Sequence, residues 1–414
     1  MSNNSILVIG GGFAGITAAL EAAEVGYDVI IVEKNPYLGG RVAQLNKYFP
    51  KLCPPSCGLE IQFQRIKNNP KVKFLTMAEV TKVSGSVGDF NVDVTINPRH
   101  VNEKCTCCGK CVDAATTTVT SEFDLGVGER KTAYTTHLFA FPQRYVVDAE
   151  NASTAELAAI KAACPYDAVV LDDAAKTVSY NVGTIIMATG WKPYPLENLE
   201  NLGAGRLANV ISNMQMERLA SPSGPTDGKI ARPSDGVEPK RIAFVQCAGS
   251  RDQNHLNYCS YICCMASLKQ LKYVRESNPN AKVTVYYIDL RTPGRYDKFK
   301  ALAIDDANLS LVKGKVAAIK EDADKNPVVT VENATTGIKS DETFDLVVLA
   351  TGMQPSLAGE KLPMALAQDA DGFIIGEMAG VVAAGCAKLP LDVMKTAQTA
   401  TGAALKAIQN VVGR

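Results

Sequence analysis

Ile6-Leu7-Val8-Ile9 is a short apolar run that ends directly in Gly10-Gly11-Gly12-Phe13-Ala14-Gly15, and from Phe13 an alanine-rich amphipathic stretch continues to about Val25. That order constrains the fold more than any other part of the chain: buried strand, glycine turn, helix. Gly10 permits the turn, Gly12 leaves the backbone open to a pyrophosphate, and Gly15 lets the helix lie close on the strand. The helix opening at Phe13 and Ala14 presents free N–H groups and the positive end of its dipole to phosphate. A second strand, Asp28–Val32, ends in Glu33, eighteen positions after Gly15 (33 − 15 = 18) and just before Lys34. An acid there accepts hydrogen bonds from a ribose. A glycine motif alone is weak, but strand, helix and acid agree on a dinucleotide site.

Two later segments repeat one design: Val182–Ala188 runs into Thr189-Gly190, and Leu346–Ala350 into Thr351-Gly352. With Gly39-Gly40-Arg41, this set resembles the flavoproteins of the thioredoxin-reductase and glutathione-reductase type. The resemblance implies an α/β fold with two Rossmann-like dinucleotide-binding domains, and FAD as the cofactor. Its binding residues are then Gly10, Gly12, Phe13, Ala14, Gly15, Glu33, Lys34, Gly40 and Arg41, with Ala188, Thr189 and Gly190 at the strand end. The closing segment Gly380–Cys386, followed by a helix over Leu391–Ala407, is similar to that family's last FAD strand and helix, which puts Gly385 and Cys386 at the flavin. The family usually carries Asp where Cys386 stands, so the ribityl contact must come from backbone or another side chain. Trp191 is expected in core or flavin-edge packing.

The second nucleotide domain departs from that pattern. Its strand Arg241–Gln246 runs into Cys247-Ala248-Gly249-Ser250-Arg251 instead of a glycine cradle, although Lys282–Asp289 reads as the next strand. A nicotinamide site is not expected there.

Twelve cysteines stand against only three histidines, and the cysteines cluster. Cys247, Cys259, Cys263 and Cys264 form one set, the last two opening a helix that runs from Met265 to about Glu276. Four thiolates suit a [4Fe–4S] cluster, and a helix N-terminus moderates its negative charge. Zinc also takes four cysteines, though usually as C-x₂₋₄-C pairs, and buried free thiols are a third reading.

A second set reads as a degenerate ferredoxin. Cys105, Cys108 and Cys111 have C-x₂-C-x₂-C spacing, and Cys164-Pro165 precedes a strand-like Asp167–Leu171. In a two-cluster ferredoxin these four share one cluster. The other cluster would need positions 115, 154, 157 and 160, which are Ala115, Thr154, Leu157 and Ile160. One ligand set is complete and the other is gone, which points to a single [4Fe–4S] cluster, with zinc on the same thiols as the rival. Cys53-Pro-Pro-Ser-Cys57 lies roughly where disulfide reductases carry their redox pair; a dithiol facing the flavin and a rigid structural turn are both open readings. Cys107 has no assignment.

Lys+Arg and Asp+Glu balance at 43 each, so no charge excess draws the chain to nucleic acid or an anionic membrane. No apolar run approaches the ~18 residues of a spanning helix, and the polar start is not expected to act as a leader sequence. The expected location is cytoplasmic. The expected organisation is an FAD domain over 1–95, 179–240 and 346–414, a ferredoxin-like insert over 96–178, and a cluster-bearing second domain over 241–345.

The glycine turn, Val245-Gln-Cys-Ala-Gly-Ser-Arg251, Tyr258-Cys-Ser-Tyr-Ile-Cys-Cys-Met265 and the insert together resemble the family of heterodisulfide reductase A subunits across nearly the whole chain. The half-empty insert and shorter length are similar, within that family, to the A subunits of quinone-interacting membrane-bound oxidoreductase complexes. This resemblance implies an oxidoreductase subunit with FAD and iron–sulfur clusters, passing electrons between menaquinone and adenylylsulfate reductase in sulfate reduction, with flavin-based bifurcation or confurcation as one route. The implied partners are a second flavin and iron–sulfur protein, a haem-bearing membrane protein that holds the complex to the inner face of the membrane, and adenylylsulfate reductase. The competing readings are a heterodisulfide-reductase-like enzyme, a pyridine-nucleotide disulfide oxidoreductase using Cys53 and Cys57, and a zinc-stabilised flavin scaffold.

Overall fold

The computed structural model describes residues 3–360, 363–375 and 378–413. Ile6–Ile9 and Val29–Glu33 are parallel strands joined through the helix Phe13–Glu24. They belong to a five-stranded parallel sheet ordered Val381–Ala383, Thr184–Met187, Ile6–Ile9, Val29–Glu33, Val72–Thr76. Both faces of this sheet are covered, which is why its strands are continuous apolar runs without alternation. Ile6 and Val8 face the helices, where Ala18, Ala19 and Ala22 meet Ala400, Ala403 and Ala407 of the C-terminal helix Val393–Val412. Those small side chains let the two helices approach closely. Leu7, Ile185 and Met187 face the other way, onto Phe90, Val92 and Val94 of an antiparallel sheet made by Ala78–Ser86, Asp89–Ile96 and Lys176–Val182.

The second domain repeats the plan. Its parallel sheet is ordered Val210–Ser212, Leu346–Thr351, Arg241–Ala248, Lys282–Tyr287, Leu309–Lys313. One face carries Asn213–Ala220 and Cys263–Ser277; the other meets an antiparallel sheet of Val316–Glu321, Pro327–Glu332 and Lys339–Thr343. The two domains are joined where Trp191–Pro193 pairs antiparallel with Met353–Pro355, each directly after an Ala-Thr-Gly strand end. This corrects the expected boundaries: Val210–Ser212 and Leu346–Thr351 hydrogen-bond into the second sheet, not the first. The sequence marks them as strands but not the sheet they join. The strand expected to reach Asp289 ends at Tyr287, and the last helix starts at Val393 because Asp392 caps it, accepting from Lys395 N at 2.7 Å.

Between the two parts of the first domain, the insert folds around Val101, Cys111, Ala115, Val147, Ile160 and Val169. Its short helices are Lys110–Ala114 and Thr154–Ala162. Ala115 and Ile160 are buried and Leu157 packs against the same core, so apolar side chains fill the half of the ferredoxin plan that lacks cysteines. The strand expected over Asp167–Leu171 is reduced to a single bridge between Val101 and Val169. Among the described residues no helix is long and apolar enough to cross a membrane.

Candidate functional site

A cavity of about 930 Å³ opens where the two domains and the insert meet. Gly10, Gly12, Phe13, Ala14, Glu33, Lys34, Gly40, Arg41, Ala188, Thr189, Gly190 and Cys386 all lie on its wall, as does Trp191. Gly15 and Gly385 lie behind it and act by packing. A Cβ on Gly15 would stand 1.8 Å from Gly10 O, and one on Gly385 would stand 2.8 Å from Ala14 Cβ. Gly10 has φ +106°, and its Cβ would meet Ala188 O at 2.3 Å, so the turn and the Ala-Thr-Gly strand end are in backbone contact.

Three observations test the fit to FAD. A Cβ on Gly12 would meet no protein atom nearer than Gly40 Cα at 3.8 Å, so the space a side chain would take there belongs to the cavity. Glu33 is buried where the second strand ends. Its Oε2 accepts from Gly11 N at 2.7 Å and its Oε1 from Asn35 N and Nδ2 at 2.8 and 2.7 Å. A carboxylate has about four acceptor positions, which leaves Oε2 capacity for a ribose hydroxyl. Burial raises its pKa against those hydrogen bonds. The third is Thr189 Oγ1, which is buried on the wall with no partner in the protein. The residues fit FAD. Cys386, at the family's aspartate position, is a neutral thiol: burial pushes its pKa up to about 11, and its Sγ donates to Leu391 O at 3.7 Å.

The far wall comes from the second domain and contains groups the sequence reading passed over. Lys269 and Glu217 form a buried ion pair at 2.9 Å, and Gln270 Nε2 and Tyr273 OH also donate to Glu217, at 2.6 and 3.1 Å. Burial lowers the Lys269 pKa and the Glu217 charge partly restores it. The only trace of them in the sequence is Lys269-Gln270 and Tyr273 recurring at helical period behind Cys263, a spacing that a solvated helix face shares. From the insert, Asp124 reaches the fully buried Arg218 at 2.8 Å, and the Arg218 guanidinium also lies over the Phe123 ring.

Cys263 lies on the cavity wall and opens the helix Cys263–Ser277, whose N-terminus has no side-chain cap. Burial, then the charges of Cys264, Cys259 and Cys247, raise its pKa, so the four thiols stand within electrostatic reach of one another. Cys247 reaches this group because the strand Arg241–Ala248 bulges between Val245 and Ala248 and the residue itself takes φ +57°. In the insert, Cys107 and Cys111 are both pushed up to about 11, first by burial and then by Cys105, while Cys164 Sγ accepts from Ala168 N at 3.3 Å. Cys107 thus stands among the insert thiols. Among the described residues no three His, Cys, Asp or Glu side chains stand ready to grip a metal ion. The donor chemistry of both sets, four thiols in each, suits an iron–sulfur cluster. Cys53 is half-buried and Cys57 exposed; the pair adjoin one another at the start of the helix Ser56–Asn68, and neither lies on the flavin cavity wall.

Where a nicotinamide pyrophosphate would lie, a Cβ on Gly249 would stand 2.6 Å from Tyr194 Cδ1 and 3.2 Å from Leu199 Cδ2. That turn is packed with side chains, in contrast to the open face of Gly12.

Fold and cavity define an FAD-dependent oxidoreductase on two dinucleotide-binding domains. The FAD dependent oxidoreductase family matches residues 5–50. Lactococcus lactis and T. acidophilum thioredoxin reductases share the fold, with TM-scores of 0.53 and 0.54 at 14% and 15% identity, each over 99% of this chain and covering 100% and 98% of theirs. More specifically, the chain is similar to heterodisulfide reductase A subunits. It is 37% identical to the iron-sulfur A subunit of the CoB–CoM heterodisulfide reductase of Methanocaldococcus jannaschii over 97% of its length, and 38% identical to the counterpart numbered 1 in Methanopyrus kandleri over 98%. It spans 63% of the length of each of those proteins.

Proposed function

We propose that this chain is an FAD- and iron–sulfur-bearing electron-transfer subunit, with one [4Fe–4S] cluster on Cys247, Cys259, Cys263 and Cys264 and a second on Cys105, Cys108, Cys111 and Cys164. The observation that carries this reading is that Cys263 belongs to a four-thiol set and to the flavin cavity wall at once. Bound FAD supplies two-electron exchange and bound clusters single-electron exchange. The chain's own residues set the conditions for that exchange. Gly12 and the N-terminus of Phe13–Glu24 bind the pyrophosphate, Glu33 orients the ribose, and the Glu217–Lys269 pair keeps a cation beside the flavin out of bulk water. Tyr194 fills the turn at Gly249, which leaves the thiol sets as the ways in and out for electrons.

The finer reading places the protein in a membrane-associated complex that passes electrons between menaquinone and adenylylsulfate reductase. Its companions there are a second flavin and iron–sulfur protein and a haem-bearing membrane protein. The half-empty insert, with Ala115, Leu157 and Ile160 in its core, supports this over the CoB–CoM heterodisulfide chemistry named for the relatives. Anaerobically purified protein is expected to carry one FAD and about eight irons with as many sulfides, with Cys263→Ser and Cys108→Ser each losing a different four. Zinc in place of iron, or one spectroscopic signal damaged equally by both substitutions, overturns the cluster assignment. Capture of the tagged protein from native membranes without a haem protein, together with flavin oxidation by a heterodisulfide, overturns the finer reading.

A further inference from the structure

We propose that the basic face formed by Lys51, Lys272, Arg291, Arg295 and Lys298 around Leu302 is where an acidic one-electron carrier protein docks. The inference deepens the electron-transfer reading and rests on it. Three segments meet on Phe49 to build this face. Tyr296 and Phe299 stand edge-on to the Phe49 ring, with centroids 4.5 and 5.1 Å away. Phe299 belongs to the helix Asp297–Ile304, whose Ala303 packs with Met265 and Leu268 of the helix Cys263–Ser277. Lys272, on that second helix, lies over the Phe299 ring at 5.5 Å, and Leu52, next to Lys51, joins the same apolar cluster. What these contacts leave outward is cationic. All five Lys and Arg side chains belong to exposed residues, and among the described residues the acids near them in sequence already have partners: Glu276 is paired with Lys47, Asp289 with Arg251 and Asp306 with Arg275. The exposed acids that remain are Asp297, which accepts from Thr292, and Asp305 at the far end of the short helix. In a chain whose charges balance, five cations against two acids is a local excess of three (5 − 2 = 3). Leu302, 70% exposed, lies one turn beyond Lys298 on the same helix face.

Charge and position together select the occupant. A cationic ring steers an acidic protein into contact and fixes its orientation, and it does so without the large apolar area that would make the contact permanent. Fast arrival and fast departure are what a shuttling carrier needs. The face also lies over the right part of the molecule. Cys264 is buried in the same cluster as Phe49 and Ala303, while Cys263 beside it and Phe49 itself are on the flavin cavity wall. Electrons cross protein only over short distances, and here little more than one layer of side chains separates the surface from that wall. On docking, the carrier loses or gains one electron and a centre of this chain gains or loses the same one, with no bond formed or broken. An anionic membrane would meet the same cations, but one exposed leucine on an eight-residue helix is not the apolar stripe that seats a helix in a bilayer.

The test is calorimetric binding of the anaerobically purified protein, with iron and flavin content measured in each sample, to two acidic carriers, a plant-type [2Fe–2S] ferredoxin and a flavodoxin. A basic cytochrome c serves as the carrier of opposite charge. Both acidic carriers are expected to bind at about 0.01 M salt and to weaken steeply by about 0.15 M, as the screening length falls from about 30 to about 8 Å. Arg291→Glu combined with Lys298→Glu is expected to weaken binding about tenfold at low salt. Lys320→Glu, on the antiparallel sheet that covers the other side of the second domain, is expected to leave it unchanged. Leu302→Ser is expected to weaken binding without changing its salt dependence, which keeps the test decisive if the double variant folds poorly. Failure of both acidic carriers to bind, equal binding of cytochrome c, or an equal loss in Lys320→Glu overturns the docking proposal and leaves the electron-transfer reading standing. Capture of the protein by phosphatidylserine vesicles, abolished by the same double substitution, overturns it too, since the face then belongs to a membrane. Protein that carries no iron after strictly anaerobic purification overturns the electron-transfer reading itself.

Discussion

Lys269 Nζ lies 2.9 Å from Glu217 Oε1, and both side chains are almost wholly withdrawn from water although they face the flavin cavity. They come from the two helices on one face of the second domain, Asn213–Ala220 and Cys263–Ser277, the second of which also carries Cys263 and Cys264. The pair therefore ties the cavity wall to the helix that begins with two of the proposed cluster ligands. Tyr273, Gln270 and the backbone N of Asn46 complete the coordination of Glu217.

Removing one partner of such a pair strands the other's charge. Lys269→Met is expected to destabilise the protein by about 3–5 kcal/mol, the usual cost of an uncompensated buried ion. The double substitution Lys269→Met with Glu217→Gln is expected to recover most of that loss. Chemical denaturation of the four-member cycle reads both quantities, and additive losses would show that the pair is not coupled.

The glycines of the turn are expected to separate into two kinds. Gly12→Val places its side chain in the cavity, so flavin content should fall to nothing while the melting temperature of the flavin-free protein stays unchanged. Gly15→Ala drives its Cβ toward Gly10 O, 1.8 Å away as built, so the flavin-free protein itself should lose stability. Flavin absorbance and thermal unfolding of the stripped proteins distinguish the two. A stable, fully yellow Gly12→Val protein would remove the pyrophosphate from this turn.

His137 gives the pH dependence. It is buried against Tyr37, Phe123 and Phe139, neither ring nitrogen has a partner in the protein, and burial, aided by the Arg218 charge, pushes its pKa down to about 3. The unfolded chain takes up that proton near pH 6.5, so the folded state binds fewer protons between the two values and stability falls as pH drops through that window. By pH 5 the loss is about 2 kcal/mol. His137→Leu keeps an apolar occupant and is expected to unfold with a shallower acid limb between pH 6.5 and 5, while resembling the unsubstituted protein at pH 7.5. Parallel acid limbs would show that another group sets the slope.

Local order was readable from the residues, and long-range pairing was not. Strand, turn and helix over Ile6–Glu24 follow from periodicity and glycine spacing, as do the two Ala-Thr-Gly strand ends. Leu346–Thr351 was legible as a buried strand, yet its place in the second sheet depends on hydrogen bonds to Val210–Ser212 and Arg241–Ala248, which no local pattern encodes. The same limit hid Glu217 and Lys269. They are 52 positions apart (269 − 217 = 52) and each reads alone as a solvated charge on a helix; only the packing of the two helices makes them a buried pair. Cys107 shows the opposite case, since its closeness to Cys105 is a matter of two residues and a φ of +55° that sequence reading does not supply.

The last expectation concerns pyridine nucleotides. A hydride donor of that kind needs its pyrophosphate against open backbone N–H groups at a strand-to-helix turn. The turn after Arg241–Ala248 offers none: Tyr194 and Leu199 occupy the volume in front of Gly249, and Tyr194 OH is in turn held to His255 Nδ1 at 3.1 Å. Neither NADH nor NADPH is therefore expected to bleach the flavin of the purified protein, whereas dithionite should bleach it completely. Tyr194→Ala is expected to stay unreactive, because Cys247 and Arg251, not a cradle of glycines, flank the opened space. Stopped-flow absorbance of the flavin band with each nucleotide is the measurement, and rapid stoichiometric bleaching by either one would restore the pyridine-nucleotide disulfide oxidoreductase reading, with Cys53 and Cys57 as its candidate dithiol.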